Sequence, residues 1–175
     1  ALAKKMLDDI VPSDVIHRCM IPMYNEDASI LYETVEAIAL SDYDLRKVAI
    51  TIHGEAVKQD LFDAAMAKCK PLADKFGYFG STLHVLQPWE TAWKWANITY
   101  GIQEIYGDIL QHFNTTPDMV LVTTLDADNK VDPAYFATLT YTFISTEDRK
   151  HASYQPVIFF FNNFWKNVGL WVSVV

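Results

Sequence analysis

The run MVLVTTLD (119–126) constrains the fold more than any other stretch, because it is almost continuously apolar and then ends in a carboxylate. A strand that is apolar on both faces needs cover on both, which is the situation of a parallel sheet between layers of helix. Three further short β-rich runs occur upstream: VIHRCMIP (15–22), KVAITIHG (47–54) and TLHVLQ (82–87). Between them lie stretches with helical periodicity, at about 28–40, 58–76 and 90–110. Pro133 sits well in the first turn of a fourth, running to about Ser145. A last strand-like piece, ASYQPVIFFF, begins near 152, and Leu2, Met6, Leu7 and Ile10 carry helical spacing ahead of Pro12. The order β-α-β-α-β-α-β-α-β predicts an α/β fold, a Rossmann-like, mostly parallel sheet with helices on both faces. Ligands of such sheets bind beyond the carboxyl ends of the strands. That rule puts MYNE, after the first strand, and DAD, after the buried one, at the same rim.

The periodicity also predicts inward faces. The first helix buries Ile30, Leu31, Val35, Ile38 and Ala39, with Asp27 or Ser29 as its cap. The second buries Leu61, Phe62, Ala65, Met66, Cys69 and Leu72, and Pro71 can kink or split it. The third holds Trp93, Ala96, Ile98, Ile102, Ile105 and Leu110 on or near its buried side. A length of 175 residues suits one core, and no linker or repeat divides it, so residues 1–175 are expected to be a single domain. Both ends are expected to be cut. The chain starts inside an amphipathic stretch and stops inside the apolar, aromatic tail 159–175, where Phe159, Phe160, Phe161, Phe164, Trp165, Leu170 and Trp171 cluster. Such a surface needs cover from the domain, another subunit or a membrane interface in a longer parent.

The net charge is −8, with no basic run longer than Lys4-Lys5, which excludes the basic face of a nucleic-acid binder. An acidic protein that handles an anionic substrate has to neutralise it locally, and a divalent cation does this. Cys19 and Cys69 form no CxxC pair, and the five histidines show no ligand spacing, so zinc is not expected. No signal peptide is present, and no apolar run reaches the ~20 residues of a membrane span.

Three constellations could carry chemistry. Asp126 and Asp128, two apart where a strand breaks into a turn, can converge on one hard cation such as Mg²⁺ or Mn²⁺. Asp and Asn are also ordinary turn residues, but two carboxylates at a strand rim repel unless a cation or partner compensates. In IPMYNED (21–27), Tyr24, Asn25 and Glu26 offer a ring, an amide and a carboxylate beside a helix N-terminus, which favours phosphate; a simple capped helix start reads the same way. In PWETAWKWANITYG (88–101), Lys94 and Asn97 share a helix face, and Lys94 can either snorkel outward between Trp93 and Trp95 or reach a diphosphate.

Taken in order, these motifs resemble the nucleotide-diphospho-sugar transferase domain of inverting glycosyltransferase family 2, the group that includes cellulose-synthase-like and hyaluronan-synthase-like enzymes. The P-x-Y-N-E opening is matched by Pro22-Met23-Tyr24-Asn25-Glu26, the K-x-x-A/N-type helix by Lys94-Trp95-Ala96-Asn97, and the DxD by Asp126-Ala127-Asp128 with Pro133 after it. The resemblance spans about residues 15 to 145. It implies a GT-A fold, a UDP- or GDP-sugar donor, and Mg²⁺ or Mn²⁺ bridging Asp128 and the diphosphate. Asp126 would lie nearer the ribose or donor sugar and the Tyr24–Glu26 loop near the base. It implies a carbohydrate or lipid-linked acceptor and a place at the cytoplasmic face of a membrane in the parent protein.

Two departures are visible. Where the family shows a D-D-G-S-like turn after the second strand, this chain has His53-Gly54-Glu55, leaving Glu55 as the stand-in. The family's downstream general base and its Q-x-x-R-W element are not found. The stretch from Tyr154 to Trp165 resembles the family's approach to the acceptor site, which implies Gln155, Asn163 and Trp165 on the acceptor side. The expectation is therefore a donor half-site without a complete catalytic set. The alternatives are a non-catalytic GT-A-like docking module of a longer membrane protein and, more remotely, a DxD phosphatase, whose motif normally ends the first strand rather than the fourth.

Overall fold

A computed structural model describes residues 12–91 and 93–156. The expectations for 2–10, for a strand continuing past 156, and for the tail 159–175 with Asn163 and Trp165 lie outside the described residues.

Four strands, β1 (Ile16–Pro22), β2 (Val48–Glu55), β3 (Tyr78–His84) and β4 (Val120–Thr124), form one sheet in the order β3-β2-β1-β4. Every neighbouring pair is parallel. However, β4, expected to be buried on both faces, ends the sheet of the described residues and alternates in burial, with Val122 51% exposed, because the helices cover it less fully than they cover β1 and β2. Four helices connect or follow them: α1 (Ala28–Ala39), α2 (Gln59–Ala73), α3 (Lys94–Phe113) and α4 (Tyr135–Ser145). The chain steps outward from β1 to β3, then crosses back to place β4 on the other side of β1. Because parallel crossovers are right-handed, that reversal puts α3 on the face opposite α1 and α2. The packing agrees. Leu31, Val35 and Ile38 of α1, with Phe62, Ala65 and Cys69 of α2, share a core with Cys19, Ile21, Ile50 and Ile52, while Ile105 and Ile109 of α3 pack with Ala49 on the other face. Phe136 of α4 joins the first of these cores. The α/β expectation, with helices on both faces, is met.

Several boundaries differ from the sequence expectation, each for a local reason. β3 begins at Tyr78, not Thr82, because pairing with β2 runs from Ala49↔Tyr78 to Glu55↔His84. The start was hidden by two glycines that look like a turn. Gly77 is there for space, since a Cβ would come within 2.1 Å of the Arg46 carbonyl. α3 begins at Lys94, not near 90, because Gln87 and Glu90 close a turn on each other: Glu90 N donates to Gln87 O (3.0 Å) and Gln87 N to Glu90 Oε2 (2.8 Å). α4 starts at Tyr135, after a turn in which Asp132 accepts from Ala134 N through its side chain and from Tyr135 N through its carbonyl, both at 2.9 Å. Pro133 therefore precedes the helix instead of occupying its first turn. Pro71 does not split α2, which continues to Ala73. Residues 152–156 are not a strand.

The buried stripe of α3 includes Ile98 and Ile105 as expected but is otherwise shifted. Asn97, Ile98, Gly101, Ile105 and Ile109 face the sheet, whereas Trp93 and Ile102 are exposed. Beneath this helix the sheet is polar. The fully buried Arg18 guanidinium donates from Nη2 to Gly101 O at 3.0 Å, and a Cβ at 101 would lie 2.0 Å from His53 Nδ1. His53 hydrogen-bonds Thr82 Oγ1 (2.8 Å) and Thr51 Oγ1 (2.9 Å); burial, with the Arg18 charge adding, lowers its pKa to about 4. On the opposite face His17 meets Thr140 Oγ1 at 2.7 Å, and burial lowers it also to about 4. Both cysteines are free and buried, as expected, with their thiols pushed up to about 12 (Cys19) and about 11 (Cys69) by burial. Ile30 and Leu61, placed inward by periodicity, are exposed.

Candidate functional site

The strand register builds the site. Met20 pairs with Thr124 and Leu125 N still reaches Met20 O, so Pro22 at the end of β1 and Asp126 just beyond β4 both stand at the carboxyl rim. This is the point where strand order reverses and the loops of β1 and β4 part, leaving a crevice. A cavity of about 650 Å³ opens there, lined by Pro22, Met23, Tyr24, Glu26 and Ile30 from the β1 side, Glu55 from β2, Trp93, Lys94 and Asn97 from α3, and Asp126, Ala127 and Asp128 from β4.

Each wall is held locally. After β1, Met23 N donates to His53 O at 2.9 Å, Tyr24 N donates to Glu26 Oε2 at 2.6 Å, and Asp27 caps α1 by accepting from Ser29 N at 2.8 Å. The Lys58 ammonium lies 5.4 Å from the Tyr24 ring centroid. After β4, Leu125 N still donates to Met20 O (3.0 Å), and then Asn129 N closes a turn on Asp126 O (3.0 Å). Ala127 is buried within that turn, and its carbonyl accepts from Thr34 Oγ1 of α1 at 2.6 Å. With Ala127 directed inward, the two flanking carboxylates face outward into the cavity.

The repulsion expected between Asp126 and Asp128 already has a local answer. Lys94 Nζ lies 2.8 Å from Asp126 Oδ1, with the two side chains 43% and 51% exposed. At that exposure the pair contributes only about 0–1 kcal/mol. Lys94 therefore neither simply snorkels nor stands free for a ligand; it neutralises one half of the acidic pair.

The floor is a chain of polar side chains. Glu55 is 3% exposed and Asn97 1%, and Asn97 Nδ2 donates to Glu55 Oε1 at 3.4 Å. His84 Nδ1 lies 3.2 Å from Asn97 Oδ1, and His84 Nε2 is 3.2 Å from Glu90 Oε2. These contacts link Glu55, Asn97, His84 and Glu90 in one polar chain.

Of the residues singled out by sequence, Pro22, Tyr24, Glu26, Glu55, Lys94, Asp126 and Asp128 line this one cavity. Asn25 does not; it is exposed on the loop beside it. Gln155 is exposed, contributes nothing to the cavity, and has its amide near Pro156 O at 3.5 Å. His84, Thr34 and Ile30 were missed as site residues. Asn97 and Lys94 carried a spacing signal, but His84 pairs with Asn97 across 13 positions and Thr34 with Ala127 across 93, which no local pattern reveals.

For a metal, the donor set is two carboxylates. Among the described residues no group of three or more His, Cys, Asp or Glu side chains could hold an ion. Mg²⁺ and Mn²⁺ commonly use one or two protein carboxylates and take their remaining ligands from substrate phosphates and water. Asp126 and Asp128 fit such a shared site, and an ion there competes with Lys94 for Asp126. Among the described residues, no helix is long and apolar enough to cross a membrane.

No protein-family model matches the sequence, and no curated protein matches it. Among solved structures, the chain is similar to a mannosyltransferase, PcManGT from Pyrobaculum calidifontis, in complex with GDP-Man and Mn²⁺, with a TM-score of 0.48 and 18% identity over 80% of this chain. This chain spans 37% of the length of that one.

Proposed function

We propose that this chain is the donor-binding part of a glycosyltransferase domain of the inverting family-2 kind, taking a nucleotide-diphospho-sugar at the cavity between β1 and β4. One observation carries the proposal: a single cavity at the strand-order reversal gathers Tyr24 and Glu26, Glu55, Lys94, and the pair Asp126 and Asp128. Glu55 lies two strands from Asp126, roughly 10 Å across the sheet, which leaves room for a nucleoside between the base end and the diphosphate end. Asp126 and Asp128 would hold Mg²⁺ or Mn²⁺ against the diphosphate, where the ion supplies Lewis-acid stabilisation of the departing phosphate. Lys94 would turn from Asp126 toward the phosphates as a second positive charge. Tyr24 and the Glu26-closed loop would flank the nucleoside. In the proposed reaction an acceptor hydroxyl attacks the anomeric carbon, a carboxylate removes its proton, and the bond from that carbon to the diphosphate breaks as the nucleoside diphosphate leaves. The acceptor is then a carbohydrate or a lipid-linked glycan, and the site faces the cytoplasm beside a membrane.

Calorimetry tests the reading. UDP, GDP and their sugars, each with and without Mn²⁺, should give metal-dependent binding to the full chain, and Asp128→Asn should abolish the metal dependence. Heat from none of them would exclude a donor site. Binding that ignores both metal and Asp128→Asn would favour a metal-free recognition module instead, a reading supported by the Lys94–Asp126 pair.

A further inference from the structure

A second pocket, of about 340 Å³, lies on the outer side of the first turns of α3, lined by Glu90, Trp95, Ala96, Thr99, Tyr100 and Gln103. None of these residues lines the larger cavity, and Glu90 meets its polar floor only through His84. Ala96, Thr99, Tyr100 and Gln103 recur at helical spacings of three and four, so they form one stripe, and from Ala96 to Gln103 that stripe rises about 10 Å, the length of a disaccharide. The Tyr100 ring is fixed by stacking on the buried His84, with centroids 4.6 Å apart and planes at 14°. Trp95 is 58% exposed, an indole face lying open beside groups that hydrogen-bond. Lys94, which pairs with Asp126 in the larger cavity, has its Nζ 5.6 Å from the Trp95 ring centroid.

We propose that this pocket is a carbohydrate subsite, binding a neutral glycan of at least two pyranose units with a ring face on Trp95 and hydroxyls toward Glu90, Thr99 and Gln103. A pyranose presents a flat C–H face and a fringe of hydroxyls that both donate and accept. The pocket offers the same pairing in reverse: a flat apolar ring, an amide and a hydroxyl that each donate and accept, and a carboxylate that only accepts. Glu90 and the net charge of −8 disfavour an anionic ligand. A protein partner would call for continuous apolar area, which a rim of Glu, Thr and Gln interrupts. Glycan binding here does not rest on the proposed donor site, which is lined by a different set of residues.

The test is an NMR titration of the full chain without nucleotide, following the indole and backbone N–H signals against cellotetraose, chitotetraose and mannotetraose. At least one should shift the Trp95 indole and the Thr99–Gln103 amides saturably. Trp95→Ala, at an exposed position, should weaken that binding at least about tenfold, and Gln103→Ala severalfold. Trp89→Ala should change nothing, since Trp89 is 80% exposed and lines neither pocket. The subsite is overturned if no tetrasaccharide shifts these signals, if the shifts centre on Trp93 and Asp126–Asp128, or if Trp95→Ala binds as well as the parent. It is equally overturned if these signals respond only to lipid vesicles or to self-association. A nucleotide titration of the same sample separates the two proposals: glycan binding without nucleotide binding sinks the donor site alone, and the reverse sinks this subsite alone.

Discussion

Replacing Lys94 by Met removes the ammonium and keeps the stem, and its effects on metal and nucleotide should have opposite signs. At 2.8 Å the attraction between Lys94 and Asp126 is about 1.5 kcal/mol at the dielectric of bulk water. Holding two half-exposed side chains in one geometry consumes much of that, and measured exposed pairs fall at about 0.2–1 kcal/mol. The variant should therefore lose at most about 1 kcal/mol of stability. Freeing Asp126 should strengthen Mn²⁺ binding in the absence of nucleotide, but by no more than about fivefold, the equivalent of the pair's energy. With nucleotide present the balance reverses, because Lys94 now has a diphosphate to serve. Losing a charge-assisted hydrogen bond of about 1.5–3 kcal/mol should weaken UDP or GDP binding roughly tenfold or more. Calorimetry of parent and variant, with Mn²⁺ alone and then with nucleotide at saturating Mn²⁺, reads both effects. If the two affinities move in the same direction, or nucleotide binding is unchanged, Lys94 is not a charge shared between Asp126 and the ligand.

Stability should fall as pH drops from about 6.5 towards 4. His17 and His53 are held near 4 in the folded chain, against 6.5 when unfolded, so in that window the unfolded state binds more protons and folding is penalised. Each shift corresponds to stability on the order of 3 kcal/mol, fully present above pH 6.5; urea unfolding that is flat or firmer at pH 5 than at pH 7.5 would contradict the assignment. Gly101→Ala places a methyl 2.0 Å from His53 Nδ1 in a packed layer and should cost about 1–3 kcal/mol in the same assay. No loss at Gly101 would mean that α3 can lift from the sheet without penalty.

The rim positions were legible in the sequence, and the buried face of α3 only in part. Pro22 and Asp126 could be placed because a strand announces its own end: an apolar run stops, and the next residues stand at the rim of the sheet. Glu55 was picked out by the family resemblance, and Lys94 and Asn97 by their helical spacing. The face of α3 was misjudged because periodicity counts apolar residues and assumes an apolar surface beneath. Here the sheet presents Arg18, Thr51 and His53, so the helix turns Asn97 and Gly101 inward and leaves Ile102 and Trp93 outside. Gly101 supplies a bare backbone for Arg18 and room for His53, and neither purpose has a pattern along the chain. The start of β3 was lost for a related reason, since Gly77 serves close approach to Arg46 rather than a turn.

The same polar layer explains why the cavity has a structured floor. A parallel sheet with both faces apolar would give strand-end carboxylates nothing to lean on but each other. By burying Asn97 instead of an aliphatic residue, α3 carries an amide to Glu55 at the end of β2, where it also meets His84 at the end of β3. One turn earlier the same helix starts with Lys94, which reaches across to Asp126 beyond β4. A single helix, docked through its polar stripe, thus sets the charge partners at both ends of the cavity, about two strand spacings apart. The placement of α3 is therefore part of the site's electrostatics. Lys94 and Asn97 lie one turn apart on α3, so a change in how that helix sits on Arg18 and His53 should be felt at Glu55 and at Asp126 together.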